Sequence, residues 1–352
     1  MRVLSPAERV VVSSILANDE LGHSADRQGT LVPRRTAETI TRRVYSRHWL
    51  VDRVLPNPAL LGLPYVVIAV SVPYAERALA LAARWSSIPG GTHVLISRDA
   101  FIGAYCCSDE NEAKVIGKEL ADTSNYRESV VITHDVRKGP VPCFFDFSLL
   151  WSRFAHLPWD RSYPQSFPRA AVALSPPMLA GQRQRIADVA ELAEASPLTV
   201  PPFRFARHQL SPELRRFAVA ALRKGWIDRR TFLDPLACSQ AITGFPDRMA
   251  IVWGKRANDF TAERIFREIT VGVGVSPFLF SASQESVLFA GLSRSGAVDD
   301  DSSRKLVAES STSLTKMLGM RDVVAIRVPL NEIHCPVSYR FDRLLDLRDP
   351  TQ

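Results

Sequence analysis

TAETITRRVYSRHWLVDRVLPNP, residues 36–58, changes its periodicity halfway along. In its first half Ile40, Val44 and the later Trp49 fall on an inward stripe, while Arg42, Arg43 and Arg47 project elsewhere around the cylinder. Thr36 supplies an N-cap. The spacing predicts a helix with one side on a core and another rich in positive charge. Leu50, Val51, Asp52, Arg53, Val54 and Leu55 are then β-prone, and Pro56-Asn57-Pro58 stops them, which predicts a β-wing after the helix.

The same writing returns further on. Trp226-Ile227-Asp228-Arg229-Arg230-Thr231-Phe232-Leu233-Asp234-Pro235 aligns with Trp49 to Pro58 without a gap, Trp226 minus Trp49 giving an offset of 177. Each copy then reaches Gly-apolar-Pro, as Gly62-Leu63-Pro64 and Gly244-Phe245-Pro246. A repeat of that length means one structural unit written twice. The 352 residues therefore divide into at least two domains, each long enough to bury a core.

Charge follows the repeat. Residues 1–60 hold nine Lys/Arg and six Asp/Glu, and residues 181–235 hold ten and six, so these two stretches carry the whole net charge of +7. Positive charge gathered onto two short segments suits an anionic partner. The hydrophobic fraction of 46% and charged fraction of 23% are ordinary globular values. No apolar run approaches a bilayer-spanning length and the first residues do not read as a signal peptide, which predicts a cytoplasmic chain with no membrane partner. Cys106, Cys107, Cys143, Cys238 and Cys335 lack metal-type spacing and are expected as reduced thiols. The seven histidines show no metal spacing either, and no Gly-x-Ser-x-Gly, Walker-type loop or Gly-x-Gly-x-x-Gly follows a strand. These observations point to a protein that is not an enzyme, with no cofactor and no metal.

In chain order, Ser5-Pro6-Ala7-Glu8 opens a scaffold helix, and residues 1–58 make a winged helix-turn-helix. Residues 59–138 read βαββαβ: a strand over Tyr65–Val72, a helix over Ala75–Ser87 with Ala78, Leu79, Leu81 and Ala82 inward, strands over Thr92–Ser97 and Phe101–Cys107 turning near Arg98-Asp99, a helix over Asn111–Asp122, and a strand over Ser129–His134. That order describes a ferredoxin-like sandwich. Residues 139–180 are rich in Pro and aromatics and form a candidate protein interface. Residues 181–236 repeat the winged helix-turn-helix, with helices near residues 185–195 and from Ser211-Pro212-Glu213 onward. Residues 243–335 repeat βαββαβ, and 336–352 form a tail. The fold class is α+β: two tandem units, each a winged helix-turn-helix followed by a ferredoxin-like domain.

This pattern resembles the Lrp/AsnC family of transcription regulators. The residues that carry the likeness are Thr36-Ala37-Glu38-Thr39-Ile40-Thr41-Arg42-Arg43-Val44, which looks like that family's recognition helix, Leu222-Arg223-Lys224-Gly225-Trp226-Ile227, similar to its helix-end Gly before the wing, and Asn57-Pro58 with Leu61-Gly62. The first copy has Arg47-His48-Trp49 where that Gly would stand. The resemblance implies sequence-specific binding of double-stranded DNA, with dimers or higher homo-oligomers formed through the ferredoxin-like domains and possible modulation by a small effector. The DNA-binding residues it implies are Arg34, Arg35, Thr36, Glu38, Thr39, Thr41, Arg42, Arg43, Arg47 and Arg53 in the first copy, and Arg204, Arg207, His208, Arg215 and Arg216 in the second. Exposed N-terminal turns of such a helix reach base edges, and flanking arginines reach phosphates. Asp99 and Glu285, in the matching hairpin turns, mark where the family's effector would bind. Siroheme decarboxylases are similar in joining a degenerate helix-turn-helix to a ferredoxin-like domain, with His93 and His334 as conceivable site residues. Under that alternative the chain is an enzyme; under a third, a protein-interaction scaffold.

Overall fold

The computed structural model describes residues 1–21, 32–137 except 89, 143–144, 181–189 except 183 and 187, 211–256, 264–265, 276–293 except 284, and 320–335. In chain order the elements are α1 (Pro6–Leu21), α2 (Arg34–Ser46), β1 (Leu50–Pro56), β2 (Tyr65–Pro73), α3 (Ala78–Ser87), β3 (Gly91–Ser97), β4 (Phe101–Cys107), α4 (Glu110–Leu120), β5 (Tyr126–Asp135), β6 (Cys143–Phe144), α5 (Pro212–Arg223), β7 (Ile227–Leu233), α6 (Pro235–Ala241), β8 (Arg248–Lys255), β9 (Ser276–Ala282), β10 (Ser286–Ser293), β11 (Arg321–Pro329) and β12 (Ile333–Cys335). The chain is α+β, with helix-turn-helix and ferredoxin-like parts in each copy. It forms two compact units, each drawing on both copies: one contains residues 1–57 and 178–245, the other 58–145 and 246–352, with pieces of 146–177 going to each.

In the first unit the wing strands of the two copies pair with each other. β1 and β7 form a two-stranded antiparallel sheet running from Leu50 opposite Leu233 to Pro56 opposite Ile227. Arg53 lies opposite Arg230, and these two occupy equivalent places at the offset of 177, so the ladder's local two-fold passes between them. Alternation puts Leu50, Val54, Ile227, Thr231 and Leu233 on one side of the ribbon, all buried. α2 and α5 enter these strands through the same helix ending. In the first copy His48 N–H donates to Tyr45 O and Trp49 N–H to Val44 O; in the second Gly225 N–H donates to Leu222 O and Trp226 N–H to Ala221 O. Such an ending needs a left-handed residue, and His48 (φ 57°) stands where the second copy has Gly225 (φ 67°). Trp49 and Trp226 follow and are buried, pinning strand to helix. Arg2 also pairs with Ile242 in an isolated bridge, tying the N-terminus of one copy to the end of α6 in the other.

Two local expectations change. Thr36 does not cap α2, which starts at Arg34 directly after Pro33. Proline has no N–H to satisfy and holds φ at −55°, and Arg34 pairs with Glu38 one turn on, so the helix begins earlier. Leu79, expected inward on α3, is 89% exposed. The buried stripe instead runs through Leu81 and Trp85, with Ala78 and Ala82 packed beside them. Helical spacing from Trp85 selects 78, 81 and 82 and leaves 79 on the far side.

The second unit holds two sheets, each with the ferredoxin-like strand order. One reads β5-β2-β4-β3 and the other β11-β8-β10-β9, antiparallel throughout. Each gains a fifth strand from the other copy. β6, which follows the first copy's last strand, pairs with the edge strand β9; β12, which follows the second copy's, pairs with the edge strand β3. This reciprocal exchange covers the β9 and β3 edges and pairs the two ferredoxin-like domains within one chain. The helix side of the first sheet is a core of Val67, Ala69, Trp85, Phe101, Tyr105, Cys107, Ile116 and Leu120. Two of its polar side chains bond within it: Trp85 Nε1 donates to Tyr126 Oη (2.8 Å) and Tyr105 Oη to Trp85 O (2.9 Å).

Candidate functional site

The first helix head is built on a scaffold corner. Ser5 and Glu8 make a capping box at the start of α1: Ser5 N–H donates to Glu8 Oε2 (3.0 Å), and Glu8 N–H to Ser5 Oγ (3.3 Å). Glu8 is only 2% exposed. It accepts from Arg2 and, at 3.2 Å, from Arg43 Nη1. Burial by itself raises the Glu8 pKa, but the Ser5 N–H and the Arg2 guanidinium outweigh it and hold the carboxyl below its ordinary range. Arg43, expected on DNA, is therefore the strut between α2 and α1, because the buried carboxylate needs a cation.

The outer side of α2 is different. Arg35, Thr39, Arg42 and Ser46 recur at helical spacing and are exposed, opposite buried Ile40, Val44 and Tyr45. Arg34 and Thr36 are exposed at the first turn, and Arg34 Nε bonds half-buried Glu38 at 3.1 Å. Thr39 and Thr41 hydroxyls donate back to the carbonyls of Arg35 and Ala37. Arg47 is exposed, with its guanidinium 5.4 Å from the Trp49 ring centroid. In the second head Arg215 and Arg216 are exposed on α5, and Ala218 and Ala221 are buried. The offset of 177 places Val219, itself 41% exposed, where α2 has Arg42, so the two heads are chemically unequal. Arg204, Arg207 and His208 lie outside the described residues.

Asp99 and Glu285 are exposed in two hairpin turns built alike. Ser97 Oγ accepts from Ala100 N–H (2.9 Å), and Ser283 Oγ from Ser286 N–H (3.0 Å). His93 and His334 stand on the neighbouring strands β3 and β12. Cys106 and Cys107 point to opposite sides of β4, and burial pushes the Cys107 thiol up to about 12, which makes it a packing group rather than a nucleophile. Among the described residues no His, Cys, Asp and Glu group could hold a metal ion.

Two features of the second unit escaped sequence reading. The first is His134 on β5, whose Nε2 lies 2.6 Å from Oγ of the buried Ser281 on β9. It joins the two sheets on the side of the first sheet away from α3 and α4, and burial lowers the His134 pKa to about 4. The second is a difference between corresponding corners. Tyr65 lies opposite Asp135 in the first sheet, where both Asp135 oxygens accept from Arg137 at 2.8 Å and Arg137 Nη2 also donates to Tyr65 Oη at 3.1 Å. In the second sheet Arg248 lies opposite Pro329, and Arg327 shares a strand face with that pair. Both arginines are half-buried, and Arg327 Nε is buried with no hydrogen-bond partner among the described residues. Burial first, and then the nearby charge of Arg248, lowers the Arg327 pKa. Only a side-by-side reading of the two copies, in register, could have found this in the sequence.

No family model matches the sequence, and no curated protein does. Among solved structures the chain is similar to the siroheme decarboxylase NirDL, at 12% identity and a TM-score of 0.46, over 97% of this chain and 96% of that one. It is also similar to the same enzyme in complex with an iron-uroporphyrin III analogue, at 10% identity and a TM-score of 0.47, over 96% and 95%. The expectation that the chain is not an enzyme is corrected here, since the chains it matches almost end to end are enzymes. The missing catalytic motifs were those of hydrolases and nucleotide-binding folds, and they do not speak to other chemistry.

Proposed function

We propose that this chain binds double-stranded DNA through the paired helix heads of its first unit, as a sequence-selective regulator of the Lrp/AsnC kind. The observation that carries the reading is the outer side of α2, where Arg35 and Arg42 stand exposed two turns apart with Thr39 between them, opposite a fully buried stripe. Guanidinium groups so placed neutralise phosphates, and the first turns of the helix reach base edges. The β1–β7 ladder joins α2 to its counterpart α5 about a local two-fold, so a bound site would have two halves. Because Val219 replaces the second head's equivalent of Arg42, those halves would be unequal, the α2 half contributing more. In a gel-shift titration against a selected duplex, Arg35→Ala with Arg42→Ala should weaken binding and lower the salt slope by about one unit for each phosphate no longer neutralised. A wild-type chain that binds no duplex in preference to random DNA sinks the proposal.

A second reading is that the second unit acts on a siroheme-like tetrapyrrole. What favours it in this chain is the pair Arg248 and Arg327, since uroporphyrin-type side chains end in carboxylates. Adding siroheme and recording the absorbance tests it: a saturable spectral change supports the reading, and an unaltered free-siroheme spectrum removes it. The two readings concern different units and do not exclude each other.

A further inference from the structure

α5 is the counterpart of α2, and its outer side is written in different chemistry. Helical spacing gathers Arg215, Arg216, Val219 and Arg223 onto one arc, all exposed, opposite buried Ala218 and Ala221. The helix is held at both ends. Ser211 Oγ accepts from Leu214 N–H at 3.1 Å, and Glu213 pairs with Arg185 at 2.6 Å, so the acid in its first turn already has a cation. Towards its C-terminus the Phe217 and Trp226 ring centroids lie 6.1 Å apart, and Lys224 Nζ stands 4.4 Å from the Trp226 ring centroid. The outer arc is therefore a basic surface on a fixed helix, with an aliphatic side chain between its arginines. Helix propensity does not account for Val219. A β-branched residue is a poorer helix former than the Ala, Lys or Arg that would serve on a solvated face, and 41% of this one stays in water.

A basic arc with an apolar centre fits the major groove of a duplex. The thymine C5-methyl is the apolar group that a base pair shows there; guanine and cytosine show carbonyl and amino groups that an aliphatic side chain would strip of water without returning a hydrogen bond. Arg216, one turn before Val219, and Arg223, one turn after it, suit the phosphates on either side. We propose that Val219 is a specificity-determining residue of the second head, packing on a thymine methyl and so selecting an A·T pair at one position of the α5 half-site. The inference rests on the DNA-binding reading and deepens it. Where the first head places the charge of Arg42, the second gives up that charge for a base preference.

The test uses the full chain in gel-shift titrations of a duplex selected from a random pool. Each thymine is replaced in turn by uracil, which keeps the base pair and removes only the methyl. For the wild type, one uracil should weaken binding roughly three- to fivefold, the worth of one buried methyl-sized group. Val219→Ala should bind the thymine duplex more weakly by a similar factor and lose its response to that uracil, which also identifies the α5 half. Ala is the better helix former, so this variant folds. Val219→Arg should bind more tightly overall, with a steeper salt slope and no response to the same uracil. A wild type that ignores every uracil, or a Val219→Ala that responds to each as the wild type does, overturns the methyl contact and leaves DNA binding standing. A chain that selects no duplex overturns the DNA reading and the methyl contact with it.

Discussion

Single residues in this chain do work that their type alone does not announce. His48 holds a left-handed backbone that its counterpart Gly225 adopts without a side-chain penalty. His48→Gly should therefore stabilise the first unit by roughly 0.5–1 kcal/mol, read as a higher denaturant midpoint with unchanged slope. Gly225→His should do the reverse. His134 is the clearest pH-dependent group. Its folded pKa is depressed to about 4, below the ordinary value of 6.5, so the unfolded chain binds the proton first. Its contribution is whole above about 6.5 and is lost as pH falls towards 4, at most about 1.4 kcal/mol per pH unit. Chemical denaturation at pH 7 and pH 5 should show a smaller loss for His134→Val than for the wild type. An equal loss in both would assign the acid sensitivity elsewhere.

At the scale of elements, α2 divides its arginines between two tasks, and the division was only half legible. Periodicity separated an apolar stripe from a basic side, and Ile40 and Val44 are indeed buried. It could not say that Arg43 belongs to the stripe's margin, because the reason lies 35 residues away in Glu8. Arg43→Ala should lower stability by about 1 kcal/mol, as for a partly exposed pair with a buried carboxylate, while Arg42→Ala leaves the unfolding midpoint in place. Circular dichroism melts of the two variants separate strut from surface. The wing strand teaches a similar lesson. Leu50 to Pro56 is strand-forming by composition, yet composition does not choose a partner, and the partner is the strand's own repeat.

For the whole molecule, duplication explains the architecture. A single copy would expose the β1 edge and the β3 edge, each of which is covered in the full chain by the other copy. A chain ending near residue 177 should therefore associate with itself, β1 pairing about Arg53 as it now pairs with β7. Sedimentation that showed only a monomeric half would contradict this. The sequence by itself determined the repeat, the α+β class, the two βαββαβ stretches with their hairpin turns, and the positive charge of the helix heads. All of these are written in local spacing and composition. Tertiary structure alone decided that strands exchange between copies, that His134 meets Ser281, and that Arg43 faces Glu8. Such facts depend on which distant residues share a register or a buried space, and packing sets that after local periodicity has made its elements.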